Sequence, residues 1–244
     1  MGIIFANEQT IHKMRYLDVL AEHVFFEVPL NGEVDARVSD HTDLSVFITN
    51  AVYVAPCIYP SFQEHLSILI DTQPIHYGQL KSLAEKIVCG TQALNKAYPL
   101  DIAYNAVKLK NHFFHKLAYT EHEILRGVHC AKIETNQGYT RCSTMVLSEV
   151  AIITEDFGLS HIYKDHGYDV LLIEKGHVVL SGYNYGFFGG CGGVIENKLV
   201  LNGALKYHPN SKAIQKFVHQ LGLSIIELHD DPLLDCGSIL YLNT

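Results

Sequence analysis

The chain has 244 residues, 48% hydrophobic and 18% charged, with a formal net charge of −8 at pH 7. That apolar content supports a sizeable core and excludes a disordered chain. The acidic balance speaks against nucleic acid or an anionic membrane surface as the main partner and suits a cationic ligand.

No apolar stretch reaches the roughly 18 residues that a membrane-crossing helix needs. The opening Met1-Gly-Ile-Ile-Phe-Ala-Asn-Glu-Gln has no basic region followed by a long apolar run, so it does not read as a secretion signal. Six cysteines stand at 57, 89, 130, 142, 191 and 236 without a Cys-x-x-Cys pair, and the expectation is reduced thiols in the cytoplasm. No linker composition or charge block divides the chain, so residues 1–244 read as one domain.

In chain order, 2–6 is an apolar strand candidate. A helix around 11–23 leads to a strand at 24–28. Residues 43–55 read as strand–turn–strand. The stretch 56–100 is less regular, with a strand expected at 67–71 and a helix at 79–88 through Leu80, Leu83, Ala84 and Ile87. A second strand–turn–strand at 101–114 precedes a short helix at 121–126 and a strand at 130–134.

A third strand pair, 142–154, is followed by a helix at 154–166 with Thr154 as its cap, then Gly167 and a buried strand at 169–174. A fourth, 191–202, leads to a helix at 208–221 through Ile214, Phe217, Val218 and Leu221. Gly222 ends it before a strand at 223–227. A fifth begins at Cys236 and runs out at Thr244, so Gly2–Ala6 is its candidate partner strand.

These segments are one unit repeated: hairpin, helix, strand. They begin at Asp43, Asp101, Cys142, Cys191 and Cys236, separated by 58, 41, 49 and 45 residues. Self-similarity at such a period means stacked or radially arranged units. Five units whose last pair is completed by the N-terminus point to a closed ring, with strands inside, helices outside and the starting residues aimed at the centre.

Two motifs carry a family resemblance. His41-Thr42-Asp43-Leu-Ser-Val-Phe47 resembles a His-x-Asp followed by a short apolar strand. Gln137-Gly138-Tyr139-Thr140-Arg141-Cys142-Ser143-Thr144 resembles a Gly-Gly-x-x-Cys-x-Ser/Thr segment. With five ββαβ units in a ring, they are similar to the penteins, the guanidine-group modifying enzymes, whose fold is an α/β five-fold pseudo-symmetric β/α propeller around a central site. Tyr98-Pro-Leu-Asp-Ile-Ala-Tyr-Asn105, Tyr185-Gly-Phe-Phe-Gly-Gly190 and Leu234-Asp-Cys-Gly-Ser238 resemble still more closely a bacterial family of that fold with no established reaction. The enzymes carry an acidic Glu/Asp-Gly-Gly-Asp motif where this chain has Phe188-Gly189-Gly190-Cys191; the glycines are present and the acids are not.

The resemblance implies a cysteine-dependent hydrolase or transferase acting on a guanidine- or amidine-type C–N group. A guanidinium is permanently cationic and a poor electrophile. Carboxylates fix it by paired hydrogen bonds, a thiolate adds to its carbon, and a histidine passes protons. Cys142 would be the nucleophile, His41 the acid/base, Asp43 and Asp235 the guanidinium partners, and Asp101 a weaker third. The partner is then a small-molecule substrate.

Plainer roles stay open for each residue. Cys142, Cys191 and Cys236 could be small core residues. His41, Asp43 and Asp101 could be turn chemistry, Asp235 a loop or cap residue. The 183–190 stretch could cover the centre or be a close-packed bend. The alternative function is a non-catalytic binding protein on the same ring.

No cofactor is expected. There is no His-Glu-x-x-His and no zinc-spaced Cys/His set, so no metal is expected either. Gly189-Gly-Cys-Gly-Gly193 lacks the Lys and helix of a phosphate loop. Nothing in the sequence fixes an oligomeric state.

Overall fold

The strand–helix–strand rhythm of the sequence recurs in a computed structural model that describes residues 1–244. Strand β1 (Gly2–Ala6) is apolar and buried throughout. Asn7 ends it and caps α1 (Glu8–Met14), its side-chain oxygen accepting from the Thr10 N–H at 3.0 Å. A 3-10 turn at Asp18–Leu20 leads to β2 (Val24–Glu27), parallel to β1.

The second unit is the hairpin β3 (Val46–Ile48) and β4 (Val52–Val54), helices α2 (Tyr59–Thr72) and α3 (Tyr77–Lys86), and β5 (Ile87–Cys89). The third is β6 (Val107–Leu109), β7 (His112–His115), α4 (His122–Gly127) and β8 (Ala131–Glu134). The fourth is β9 (Thr144–Val146), β10 (Ala151–Thr154), α5 (Phe157–Asp165) and β11 (Asp169–Leu172). The fifth is β12 (Gly192–Ile195), β13 (Lys198–Leu201), α6 (Ser211–Gln220) and β14 (Ser224–Glu227). Finally β15 (Leu240–Asn243) pairs antiparallel with β1, Gly2 opposite Asn243 and Phe5 opposite Leu240, so the two ends of the chain complete the first unit together.

Each unit is one three-stranded sheet, and there are five. In four units the first strand pairs antiparallel with the second through a tight turn, in the other β15 and β1 pair across the chain ends, and in all five the third returns parallel after a helix. A parallel partner needs such a crossover, which is why every unit spends a helix between its last two strands. The ring closes in chain order. β12 lies against β9 and β15, and β15 against β3. Asn105 ties the third unit to both neighbours: its Nδ2 donates to the Asp43 carbonyl at 3.3 Å and its own carbonyl accepts from the Arg141 N–H at 3.1 Å.

Several expectations need correction. Residues 67–71 are not a strand but lie inside α2, whose buried residues Phe62, Leu66 and Leu69 have helical spacing. The local run Ile68-Leu69-Ile70 imitates a strand, while the wider window obeys the 3.6-residue period. The helix expected at 79–88 ends at Lys86, and Ile87–Cys89 is the sheet's third strand. Thr154 does not cap α5. It ends β10 with its hydroxyl donating to the Ser143 carbonyl at 2.7 Å, and Asp156 is the cap, accepting from Leu159 N–H at 2.8 Å. β11 is not buried: its four residues are exposed or half-buried, at the edge of the sheet outside β10. Gly167 and Gly222 do end their helices, at φ +81° and +75°. No helix is long and apolar enough to cross a membrane.

Candidate functional site

The site is built from the short segments that precede the first strands of neighbouring units. His41 leads into a 3-10 turn, Thr42–Leu44, which buries Asp43. The Asp43 N–H donates to the Gly237 carbonyl at 3.0 Å, joining the second unit to the first. Gly237 has φ +75°, and a Cβ there would lie 2.2 Å from the His41 Cα. Only glycine lets the two segments approach so closely.

Cys142 donates its thiol to Asp43 Oδ2 at 3.2 Å and accepts from Asn105 Nδ2 at 3.0 Å. Ser238 also donates to Asp43 Oδ2, at 2.5 Å. One nitrogen of His41, one oxygen of Asp43 and the sulfur of Cys142 all lie within 4.8 Å of one another, and all three residues are buried. His41 Nδ1 is 3.8 Å from Asp235 Oδ1, a charge contact beyond hydrogen-bond length. His41, Cys142 and Asp235 open into a cavity of about 300 Å³ walled by Tyr139, Leu180, Tyr183 and Phe187 among others.

Asp235 is held rigidly. Its Oδ2 accepts from the Phe187 N–H at 2.9 Å and its Oδ1 from the Gly237 N–H at 3.1 Å. Gly190 packs flat against it, with no room for a Cβ. The glycine stretch lacks acids of its own, but a carboxylate from another unit stands against it. Both readings of the 183–190 stretch hold: Tyr183, Asn184, Tyr185 and Phe187 cover the cavity, while its glycines form a tight bend.

Burial pushes the Cys142 thiol well above its ordinary value, and the negative charges of Asp43 and Asp235 push it further; the Asn105 amide pulls the other way. Asp235 is raised by burial and then by Asp43, against His41 and its two backbone donors. In the free protein the sulfur is therefore a thiol facing carboxylates. A cation among those carboxylates would lower the cost of ionising it.

The other expected residues fall outside this cluster. Asp101 is buried, but Tyr139 occupies its carboxylate with a 2.6 Å hydrogen bond, so it reaches the cavity only through that ring. Cys191 donates to the Phe188 carbonyl at 2.9 Å and Cys236 to the Gly190 carbonyl at 3.4 Å. Burial lifts both, Cys236 to about 12.

Asn105, Ser238 and Glu155 escaped the sequence reading. Asn105, Cys142 and Ser238 each stand two positions before their unit's first strand. Counting back from the strands, rather than from the first polar residue, would have found Asn105 and Ser238 alongside Cys142. Glu155 is nearly buried beside the cover, with Oε1 accepting from Phe188 N–H at 3.3 Å and Oε2 unpartnered; burial raises it to about 8.

His41, Asp43 and Cys142 are also close enough to hold a metal ion, and nitrogen, carboxylate and thiolate donors are of the type zinc takes. Linear spacing concealed this juxtaposition, because its members come from different units.

This ring of five units is the pentein fold, that of the guanidine-group modifying enzymes. It matches a dimethylarginine dimethylaminohydrolase variant, solved as an adduct with S-methyl-L-thiocitrulline, over 93% of this chain and 92% of that one, with a TM-score of 0.53 and 13% identity. A C. jejuni agmatine deiminase matches over 98% of this chain and 80% of that one, with a TM-score of 0.51 and 11% identity. No curated protein matches by sequence. A family model matches residues 7–240, and the chain belongs to that family, DUF6873, described as a family of unknown function.

Proposed function

We propose that the protein is a cysteine-dependent hydrolase or transferase acting on a guanidine- or amidine-type C–N group, with Cys142 as nucleophile and His41 as acid/base. The observation that carries this reading is the meeting of the Cys142 sulfur, a His41 nitrogen and an Asp43 oxygen within 4.8 Å, where His41, Cys142 and Asp235 line a cavity. The fold shared with enzymes named for dimethylarginine and agmatine agrees with it.

A guanidinium seated here gives its N–H groups to Asp43 and Asp235, with Asp101 acting only through Tyr139. Its charge offsets the carboxylates that hold the thiol protonated, and Cys142 passes its proton to His41. The thiolate then forms a C–S bond as the C=N electron pair moves to nitrogen. His41 protonates the departing amine as its C–N bond breaks, leaving an S-linked amidinium. Water, or a second amine, loses a proton to His41 and adds to that carbon; the C–S bond breaks and the thiolate returns. The aromatic walls carry the apolar body of the substrate. All six cysteines are free, which suits a reducing, cytoplasmic setting.

The test is a panel of guanidines and amidines, read by amine or ammonia release and by a mass adduct on Cys142. Release that is lost in Cys142→Ser supports the enzyme. Binding without release, unchanged in Cys142→Ser, supports instead a non-catalytic binding protein, a reading favoured by the burial and high proton affinity of the resting thiol.

A further inference from the structure

The ring has a second cavity on its axis, of about 640 Å³. The first cavity opens at His41 and Cys142; this one is lined mainly by the strands and their far ends, with Tyr104, Ala106, Arg141 and Ile239 from the segments before the first strands. Every unit contributes: Ile48, Val107, Val146, Val194 and Leu240 come from the five sheets in turn. The wall is mostly apolar, and the two cavities share no lining residue.

Into this apolar space projects Arg141. Its backbone adjoins Cys142, yet its side chain lines the opposite cavity. It forms a hydrogen bond from Nη1 to the Thr144 carbonyl at 2.6 Å and no ion pair. Asp43 is the strongest charge acting on it, but stays beyond ion-pair contact. A guanidinium presents five N–H donors in a planar fork, so most of this one is left unanswered. Arg141 is half-buried and none of its nitrogens is sealed off unpartnered, so these donors stand open to an anion entering the cavity. Glu149, Glu196 and Lys108 lie at the exposed rim, and Glu196 already faces the Met1 amine at 3.6 Å.

We propose that this axial cavity binds a small amphipathic anion, its carboxylate or phosphate head on the Arg141 guanidinium and its apolar body along the strand ends. An oxyanion takes the fork by parallel charge-assisted hydrogen bonds. The apolar wall selects a ligand with a hydrocarbon or aromatic body over inorganic ions. The proposal does not rest on the chemistry proposed at Cys142.

Isothermal titration of the full chain with octanoate, octyl phosphate and octyltrimethylammonium tests it. One or both anions bind at a single site and the cation does not; which anion binds more tightly distinguishes a carboxylate from a phosphate ligand. Arg141→Met weakens binding by at least about tenfold. Val194→Trp fills the cavity while keeping the guanidinium, and weakens binding as much, so the test survives if Arg141→Met does not fold. The proposal is overturned if neither anion binds, if the cation binds as well as the anions, or if Val194→Trp keeps wild-type affinity.

Discussion

Asn105 grips Cys142 twice: its Nδ2 donates to the sulfur at 3.0 Å and its Oδ1 accepts from the Cys142 backbone N–H at 3.1 Å. The same Oδ1 accepts from the Arg141 N–H at 2.8 Å. One side chain from the third unit thus sets both the position of the thiol and part of its proton affinity.

Asn105→Ala removes the one group that favours the thiolate by hydrogen bonding and leaves the Cys142 N–H without its partner. The thiol becomes harder to ionise, so the pH–rate profile of iodoacetamide labelling at Cys142 moves to higher pH. Stability falls by about 1–3 kcal/mol, the cost of an unpaired buried donor, measured by urea unfolding.

Asp43→Asn separates thiol activation from catalysis. It removes the nearest negative charge, so Cys142 gives up its proton more readily. Labelling at about pH 8 then quickens, in proportion to the thiolate fraction, for as long as the thiol stays mostly protonated. Guanidine turnover falls, because a neutral amide holds the cation less well. Faster turnover alongside faster labelling would show that Asp43 does not bind the substrate.

Ligand-free Cys142 should label slowly at neutral pH, as buried Cys191 and Cys236 do, and more slowly than exposed Cys57, since burial and two carboxylates oppose ionisation of Cys142. A saturating amidine that is not turned over moves the Cys142 pKa down, by placing positive charge among Asp43 and Asp235. The change is read by the absorbance of the thiolate during pH titration, compared with Cys142→Ser.

Glu155 titrates near 4.5 when unfolded and at about 8 when folded. Between those values the folded protein keeps a proton that the unfolded chain has released. Stability therefore falls as pH rises from about 4.5 to about 8, then levels off. Glu155→Gln keeps an acceptor for Phe188 but cannot ionise, so it matches wild type near pH 4 and is more stable by roughly 2–4 kcal/mol near pH 8. Parallel pH dependences of urea unfolding for the two proteins across that range would contradict this.

Gly237→Ala strains a φ of +75° and drives a methyl into the His41 Cα. A loss of about 2 kcal/mol or more is expected, seen as a lower urea midpoint with an unchanged slope.

Much of the fold was legible in the sequence. Hairpins and the last two helices declared themselves by period and by the glycines that end them, and the short first unit was completed by pairing the two ends of the chain. Legibility failed where a local run contradicted its wider window, as at Ile68–Ile70 inside α2. It failed again where two polar residues competed for one cap: Thr154 and Asp156 are both good caps by type, and only the end of β10 decides between them.

By itself the sequence determined a ring of five hairpin–helix–strand units, because hydrophobic period and turn residues are local properties that tertiary packing only has to respect. It also singled out Cys142, His41, Asp43 and Asp235 as candidates, through motif likeness. Only the tertiary structure decided that Asp43 touches the sulfur, that Asp101 is taken up by Tyr139, and that Asn105 and Ser238 complete the cluster. The physical reason is that these contacts cross between units, over chain separations as large as the 195 residues between Asp43 and Ser238, where no local period records which side chains will meet.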